Sequence, residues 1–522
     1  LILTKGLLTS AQNRSKQTAI IDGEFTLSYQ ELHDRVSQLK GALRDYDIGK
    51  GDRVALLMLN DFRYLEIFYA VTALGAMVVP LNVRLSVPEW TMILQDAEPK
   101  MIFITKEFLP VAPILQSKIP SIRRVVLAET REDETGNVVP YEDLIQSHRR
   151  EPLTYEGVEE RDTAGLFYTG GTTGRPKGVM LSHRNLVSNA WHILLASNYD
   201  STIHYLHAGP MFHLADGAST FAVTMLGGTH SHLRAFRPLE FLQTVERDRP
   251  NSVLLVPTMI HALIHYPDRS QFDYSSLKRI LYGASPMPVE VLKKAFQAFP
   301  EVEFSQAYGM SEASPVLSTL SSEDHQVLGT ERERLLASCG KAIMGVELKI
   351  VDENRKEVPV GEVGEIAARG PNIMKGYWNM PEETDRVLQE GWYYTGDMAK
   401  RDDENYYYIV DRKKDIIISG GENIYCVEVE NVLYSHPDVL EAAVVGIPDD
   451  SWGEQVLAII VKREDSSLDQ EELIQFCRQF LAGFKVPKSV EFTTDLPKSG
   501  AGKVLKRNLR EKHWEGHTRR VH

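Results

Sequence analysis

Cysteine is nearly missing from this chain of 522 residues: Cys339, Cys426 and Cys477 are the only three. Their wide spacing excludes a disulfide framework and a cysteine-built zinc site, so buried free thiols in a reducing, cytoplasmic setting are expected. An excess of positive charge is missing too. Lys and Arg number 58 against 72 Asp and Glu, a formal net charge of −14, which excludes a general nucleic-acid binder. A local basic pocket for a small anion remains compatible with that balance. Apolar runs stay short: Ala70-Val-Thr-Ala-Leu-Gly-Ala-Met-Val-Val79 is among the longest, well below the ~20 residues of a membrane span. With no transmembrane segment expected, a lipidic substrate would be captured from solution or through peripheral membrane contact. The opening Leu1-Ile-Leu-Thr-Lys-Gly-Leu-Leu8 is too brief for a signal peptide. Internal repeats and low-complexity segments are also lacking.

What the chain does contain is ordinary globular material in quantity. Hydrophobic residues make up 43% and charged residues 25%, and this length calls for more than one domain. Short apolar runs read as buried strands: Arg53–Leu59, Met77–Leu81, Met101–Ile104, Arg124–Leu127, Ser252–Val256 and Arg279–Tyr282. Helical patterns between them predict parallel α/β layers, whose ligands sit beyond the carboxyl ends of the strands. From about residue 335, Gly- and Pro-punctuated runs predict a small β subdomain. The charged stretch Asp411-Arg-Lys-Lys-Asp415 then separates two strand patterns, and read by itself it is a solvated charge run. Beyond it lies material for a small α+β domain. There Ser467–Gln470 fits a capping box, and Leu473, Phe476, Cys477, Phe480 and Leu481 form one apolar helical face expected in the core.

One loop carries chemistry more plainly than any other. Residues 168–180 read Tyr-Thr-Gly-Gly-Thr-Thr-Gly-Arg-Pro-Lys-Gly-Val-Met, between a strand pattern and a helix starting near Ser182. Thr169, Gly170, Gly171, Thr172, Thr173 and Gly174 can turn N–H groups and hydroxyls toward a polyphosphate, with Lys177 neutralising charge. A plain Gly/Thr surface turn explains the glycines but not the hydroxyls beside Pro-Lys-Gly. The Walker A spacing is absent.

The loop resembles the signature of the adenylate-forming superfamily, which includes acyl- and aryl-CoA synthetases, luciferases and peptide-synthetase adenylation domains. Gly171 stands where many members carry Ser or Thr. Further blocks match that family in order: Leu27–Leu32, Gly51–Ala55, Tyr282-Gly-Ala-Ser-Pro286, Gln306-Ala-Tyr-Gly-Met-Ser-Glu312, Tyr394-Thr-Gly-Asp397, Asp411–Asp415, Ser419-Gly-Gly-Glu-Asn-Ile424 and Pro497-Lys-Ser-Gly-Ala-Gly-Lys503. The resemblance implies roles. Gly283, Ala284 and Ser285 would pack on adenine. Gln306, Ala307, Tyr308 and Gly309 would line the nucleotide, with Tyr308 stacking on the purine. Thr172 and Glu312 would share Mg²⁺ on the phosphates. Asp397 would hold the ribose hydroxyls together with Arg412. Lys414 would be the pivot of a hinge at 411–414, and Gly420, Gly421 and Glu422 would border the coenzyme A channel. Lys503 would be the catalytic lysine of adenylation, while Lys506 and Arg507 read as surface charges or contacts to an anionic cofactor.

The fold expected on this basis is α/β. A large domain at 1–410 holds two parallel α/β layers and a β-barrel-like subdomain (about 335–410), followed by the hinge and a small mobile α+β domain at 415–522. The implied activity is an ATP-dependent acid–thiol ligase that forms an acyl-adenylate and passes the acyl group to coenzyme A. The acid would be a small-molecule carboxylic acid held near Trp191-His-Ile193 and Pro210–Gly217. His213 matches the aromatic that lines the acyl pocket in CoA ligases, where amino-acid-activating relatives carry Asp. Some long-chain ligases place a Trp gate where this chain has Gly217. A medium- to long-chain fatty acid is the first expectation and an aryl acid the second. A luciferase, a stand-alone adenylating enzyme with another acceptor, and a non-catalytic nucleotide-binding scaffold are the rivals; a homodimer stays open.

Overall fold

A computed structural model describes residues 1–129, 138–147, 150–169, 176–420, 422–449, 451–464, 466–499 and 503–514. Two large sheets dominate it. In the first, eight strands include a parallel set at Arg53–Leu57, Met77–Pro80, Met101–Ile104 and Arg124–Leu127, flanked by Val138–Pro140 and Thr163–Thr169. Lys177–Ser182 returns antiparallel to Thr163–Thr169, so the Gly/Thr loop joins two neighbouring strands. In the second, nine strands include a parallel run through Thr18–Asp22, Thr229–His232, His204–His207, Ser252–Leu255, Arg279–Gly283 and Glu303–Gly309. Every residue of Met77–Pro80, Met101–Ile104 and Ser252–Leu255 is buried. Strands covered by helices on both faces need apolar side chains throughout rather than alternation.

Helix starts follow local chemistry. Ser182 caps His183–Ala196 in a reciprocal box with Asn185, and Ser28 does the same with Glu31 for Tyr29–Asp45. The longest described helices are amphipathic core elements, and among the described residues no helix is long and apolar enough to cross a membrane. The third sheet is the β subdomain: five antiparallel strands, among them Gly364–Arg369, Trp392–Arg401 and Tyr407–Arg412.

The C-terminal region builds its own sheet from Ile417–Ser419, Glu422–Ile424, Val439–Asp449, Gly453–Lys462 and Ser489–Thr493, with a separate apolar core. Three sequence expectations change here. The helix Gln470–Arg478 is capped by Asp469, whose carboxylate accepts the Glu472 N–H at 2.9 Å, rather than by Ser467. Along its apolar spacing Leu473, Cys477 and Leu481 are buried, but Phe480, which follows the helix end, is 61% exposed. Lys506 is no surface charge: its ammonium pairs with Glu430 at 2.8 Å, and both side chains are largely enclosed. Cys339, Cys426 and Cys477 are free and buried.

Candidate active site

One side of the cleft is assembled at strand ends. Arg279–Gly283 and Glu303–Gly309 run parallel, with Tyr282 opposite Gln306 and Gly283 opposite Ala307. The chain leaves them through Ala284, at φ +65°, then Ser285, and through the single turn Ser311–Ala313 that carries Glu312. Gly309 is required by sterics, because a Cβ there would overlap the carbonyl oxygen of Pro315.

Tyr308, half-buried, donates its hydroxyl to Asp397 Oδ2 at 2.8 Å. Asp397 is 6% exposed and lies opposite Arg412 in the antiparallel pair Trp392–Arg401/Tyr407–Arg412. Cross-strand neighbours come within side-chain reach, and Arg412 Nε stands 3.3 Å from Asp397 Oδ1. The carboxylate in turn holds the guanidinium firmly in its charged form. Thr395 steadies the turn: its hydroxyl accepts the Asp397 N–H at 3.1 Å and donates to the Ile366 carbonyl at 3.0 Å. Glu312 takes a hydrogen bond from Tyr377 through Oε1 at 2.9 Å.

Lys177 has company of its own. Its ammonium pairs with Glu383 and lies 5.0 Å over the Tyr377 ring, while Glu383 also binds Arg386 at 2.8 Å. Thr169 ends its strand opposite Lys177. Gly170, Gly171, Thr172, Thr173 and Gly174, with Gly421, lie outside the described residues.

Lys503 enters the cleft from the C-terminal domain. Main-chain bonds hold it on both sides: Ser499 N–H bonds to the Lys503 carbonyl at 2.7 Å, and Leu505 N–H to that of Pro497 at 2.7 Å. Across the cleft, Arg84 reaches the Ser499 carbonyl at 3.4 Å. Burial, then the charge of Arg412, pushes the Lys503 ammonium down to about 8, against the opposing pull of Asp397 and Glu312. On the other side stands His213, at the head of the short helix Leu214–Gly217, its ring 4.5 Å from that of Phe212. Burial first, then the charges of Lys503 and Arg84, takes His213 down to about 3, so its imidazole is neutral at pH 7. Its Nε2 is buried and has no hydrogen-bond partner among the described residues.

The structure therefore brings Tyr308, Glu312, Asp397, Arg412, Lys503 and His213 around one space. Gly420 and Glu422 are elsewhere: Gly420 N–H bonds to the Trp452 carbonyl at 2.8 Å, and Glu422 pairs with Ser419 in its own domain. Lys414 offers its carbonyl to Arg510 at 3.1 Å, and burial disfavours its charged form. Asp411 is not part of a solvated run. It is buried, accepting the N–H groups of Arg412 and of Cys426, which opens the helix Cys426–Tyr434. Trp191 points outward at 47% exposure, while its neighbour His192 is buried. Sequence reasoning missed Tyr377, Glu383, Thr395 and Arg84. Thr395, inside the Tyr394–Asp397 block and two residues from Asp397, and Tyr377, an aromatic after Gly376, carried a local signal; Glu383 and Arg84 matter through partners distant in sequence.

Comparison with known proteins bears on this arrangement. The AMP-binding enzyme family model matches residues 7–378, and that of the AMP-binding enzyme C-terminal domain matches residues 428–503. A feruloyl-CoA synthase of Amycolatopsis sp is 39% identical over 498 residues, 95% of this chain and 96% of that protein. A medium/long-chain-fatty-acid–CoA ligase of Mycobacterium tuberculosis is 34% identical over 527 residues, 99% of this chain and 91% of that protein. The crystal structure of an anthranilate CoA ligase in complex with anthranoyl-AMP superposes with a TM-score of 0.89 at 25% identity, covering 98% of this chain and 97% of that one.

Proposed function

Because this chain belongs to the AMP-binding enzyme family, in its AMP-forming acid–CoA ligase branch, we propose that its cleft activates an aromatic carboxylic acid with ATP and passes the acyl group to coenzyme A. The observation that carries the reading is the place of Lys503. Its ammonium feels Asp397, Arg412 and Glu312 on one side and is felt by His213 on the other, so it stands where an acid and a nucleotide would meet.

In the first step a carboxylate oxygen attacks the α-phosphorus, the bond to the β-phosphate oxygen breaks, and pyrophosphate leaves. No general base is needed, since the acid is already ionised at pH 7. Lys503 then serves by placing positive charge where the oxygens of both reactants crowd together. Asp397 accepts the ribose hydroxyls, oriented by Arg412 and Tyr308. Glu312 suits a magnesium ion on the phosphates: one oxygen takes Tyr377, and a single carboxylate fits an ion that keeps waters and leans on phosphate oxygens. That ion would supply charge neutralisation. In the second step the coenzyme A sulfur attacks the acyl carbonyl, AMP leaves, and the thiol proton goes to solvent. We assign this step to the Ser419–Glu422 face, delivered by rotation at 411–414.

Two features favour an aromatic acid over the medium- to long-chain fatty acid expected from sequence. The feruloyl-CoA synthase likeness is higher than that to the fatty-acid ligase. Gly217 also has no room for a gate, because a Cβ there would overlap the Met211 carbonyl oxygen. The acid would instead face the neutral rings of His213 and Phe212. Pyrophosphate release across ferulate, 2-succinylbenzoate, decanoate and palmitate, with and without coenzyme A, tests the reading. Ferulate is expected to give the highest kcat/KM. A preference for decanoate or palmitate would overturn the aromatic assignment, and no release with any acid would overturn the ligase step itself.

A pH prediction follows from Lys503. The useful form is the ammonium, and burial beside Arg412 brings its loss down to about 8. Activity of the free enzyme should therefore be present at pH 7 and fall as pH rises through about 8, instead of near the ordinary lysine value. The check is kcat/KM for pyrophosphate release from about pH 6.5 to about pH 11.5, which brackets the ordinary lysine value of about 10.4. In Lys503→Arg this alkaline limb should vanish.

A further inference from the structure

Beneath the acid-binding segment lies a buried polar chain that the reaction does not use. His207 Nδ1 stands 3.0 Å from Asp216 Oδ1, and Tyr205 donates its hydroxyl to the same oxygen at 3.0 Å. His207 Nε2 meets His230 Nδ1 at 3.0 Å, and His230 Nε2 meets the Thr224 hydroxyl at 3.1 Å. His207, His230 and Thr224 have no exposed surface, and Asp216 has 1%. The protons can be assigned in one direction: Thr224 donates to His230, His230 to His207, and His207 to Asp216 Oδ1, while Asp216 Oδ2 has no partner among the described residues. Links of this kind reinforce one another in a low-dielectric interior, and breaking one strands the rest.

The chain ends beneath the segment that carries His213. That segment is irregular from Ala208 to His213 and has only the four-residue helix Leu214–Gly217. Two pins hold it. From one side, buried Asn60 donates to the Gly209 carbonyl at 2.6 Å and accepts the Met211 N–H at 2.8 Å. From inside, Asp216 ties the short helix to the strand His204–His207. Among the described residues His213 has no hydrogen bond for its Nε2, although its backbone carbonyl accepts the N–H groups of Asp216 and Gly217 at 3.2 and 2.8 Å. The ring therefore stands where the backbone puts it, and the backbone stands where Asp216 is held.

We propose that the buried Asp216–His207–His230–Thr224 chain is a positioning device for the acid: by fixing Asp216 it sets His213, and through His213 the enzyme's grip on its carboxylic acid. This rests on the reading that the acid binds against His213. Asp216 is a positioning residue and touches neither substrate.

The test measures KM for the acid, as ferulate or decanoate according to the panel, and KM for ATP in Asp216→Ala, His213→Ala and the double variant. Asp216→Ala is expected to raise KM for the acid about tenfold, the scale of losing the two buried hydrogen bonds from His207 and Tyr205, with KM for ATP within about twofold. In the His213→Ala background the same change should add almost nothing, since coupled residues are not additive. Effects that multiply, or a KM for ATP that rises in step, would overturn the proposal by showing a general loosening. If His213→Ala leaves KM for the acid unchanged, the placement of the acid falls, and the positioning role falls with it. Should Asp216→Ala fail to fold, the isosteric Thr224→Val cuts the far end of the chain, and the same non-additivity with His213→Ala is expected at about threefold.

Discussion

Replacing Lys503 by alanine is expected to slow adenylate formation by at least about 10²-fold, the usual effect of removing one preorganised donor from a developing negative charge. The geometry explains why no neighbour would compensate. Lys503 comes from the far end of the chain, and of the two cations it feels, Arg412 is paired with Asp397 and burial disfavours the charged form of Lys414. The variant should still fold, because its backbone there is held by main-chain bonds of Ser499, Leu505 and Pro497 rather than by the lysine side chain. Thioester formation from a supplied acyl-adenylate should change far less, since coenzyme A is assigned to the opposite, Ser419–Glu422 face. Single-turnover measurement of each half-reaction separates the two. Equal losses in both would refute the division of labour.

Asp397→Ala should raise KM for ATP about 10²-fold, because the substitution removes the ribose acceptor and strands two partners at once. Tyr308 loses the acceptor of its hydroxyl, and Arg412 loses its counter-ion. Stranding a buried charge is severe, but Arg412 is 46% exposed and water would cover part of that loss. Most of the effect is therefore expected in nucleotide binding rather than in stability. Tyr308→Phe is the control: it removes one hydrogen bond and keeps the ring, so KM for ATP should rise about tenfold or less. Calorimetric titration with a non-hydrolysable ATP analogue reads both directly. Unchanged nucleotide affinity in Asp397→Ala would remove Asp397 from the site.

Much of this molecule is readable without coordinates. Met101–Ile104, Arg124–Leu127 and Arg279–Tyr282 are strands within a residue of where their apolar runs begin and end, because a strand buried on both faces has a composition unlike its surroundings. Ser182 caps its helix because a cap is a contact between residues three apart. The C-terminal region misled for the same reason. Ser467 and Asp469 are both good caps, and only the chain path selects Asp469. Phe480 continues the apolar spacing of its helix, yet the helix ends before it.

Charged residues were the least readable. Asp411 and Lys506 look like surface charges because their own neighbours are charged, but each is enclosed by a partner brought from elsewhere: the N–H of Cys426 for one, Glu430 for the other. The pairing of Lys177 with Glu383, and the chain from Asp216 to Thr224, are equally invisible in a linear reading.

The sequence alone determined the family, the alternation of strand and helix, and the residue types available to handle phosphate, ribose and acid, since each of these is written in short-range patterns. Only the tertiary structure decided which of those residues meet. Asp397 and Arg412 face each other through strand register, and Lys503 reaches them from another domain. Such pairings depend on how strands align and domains close, and the free energy that selects them comes from burial across the whole fold rather than from any local segment.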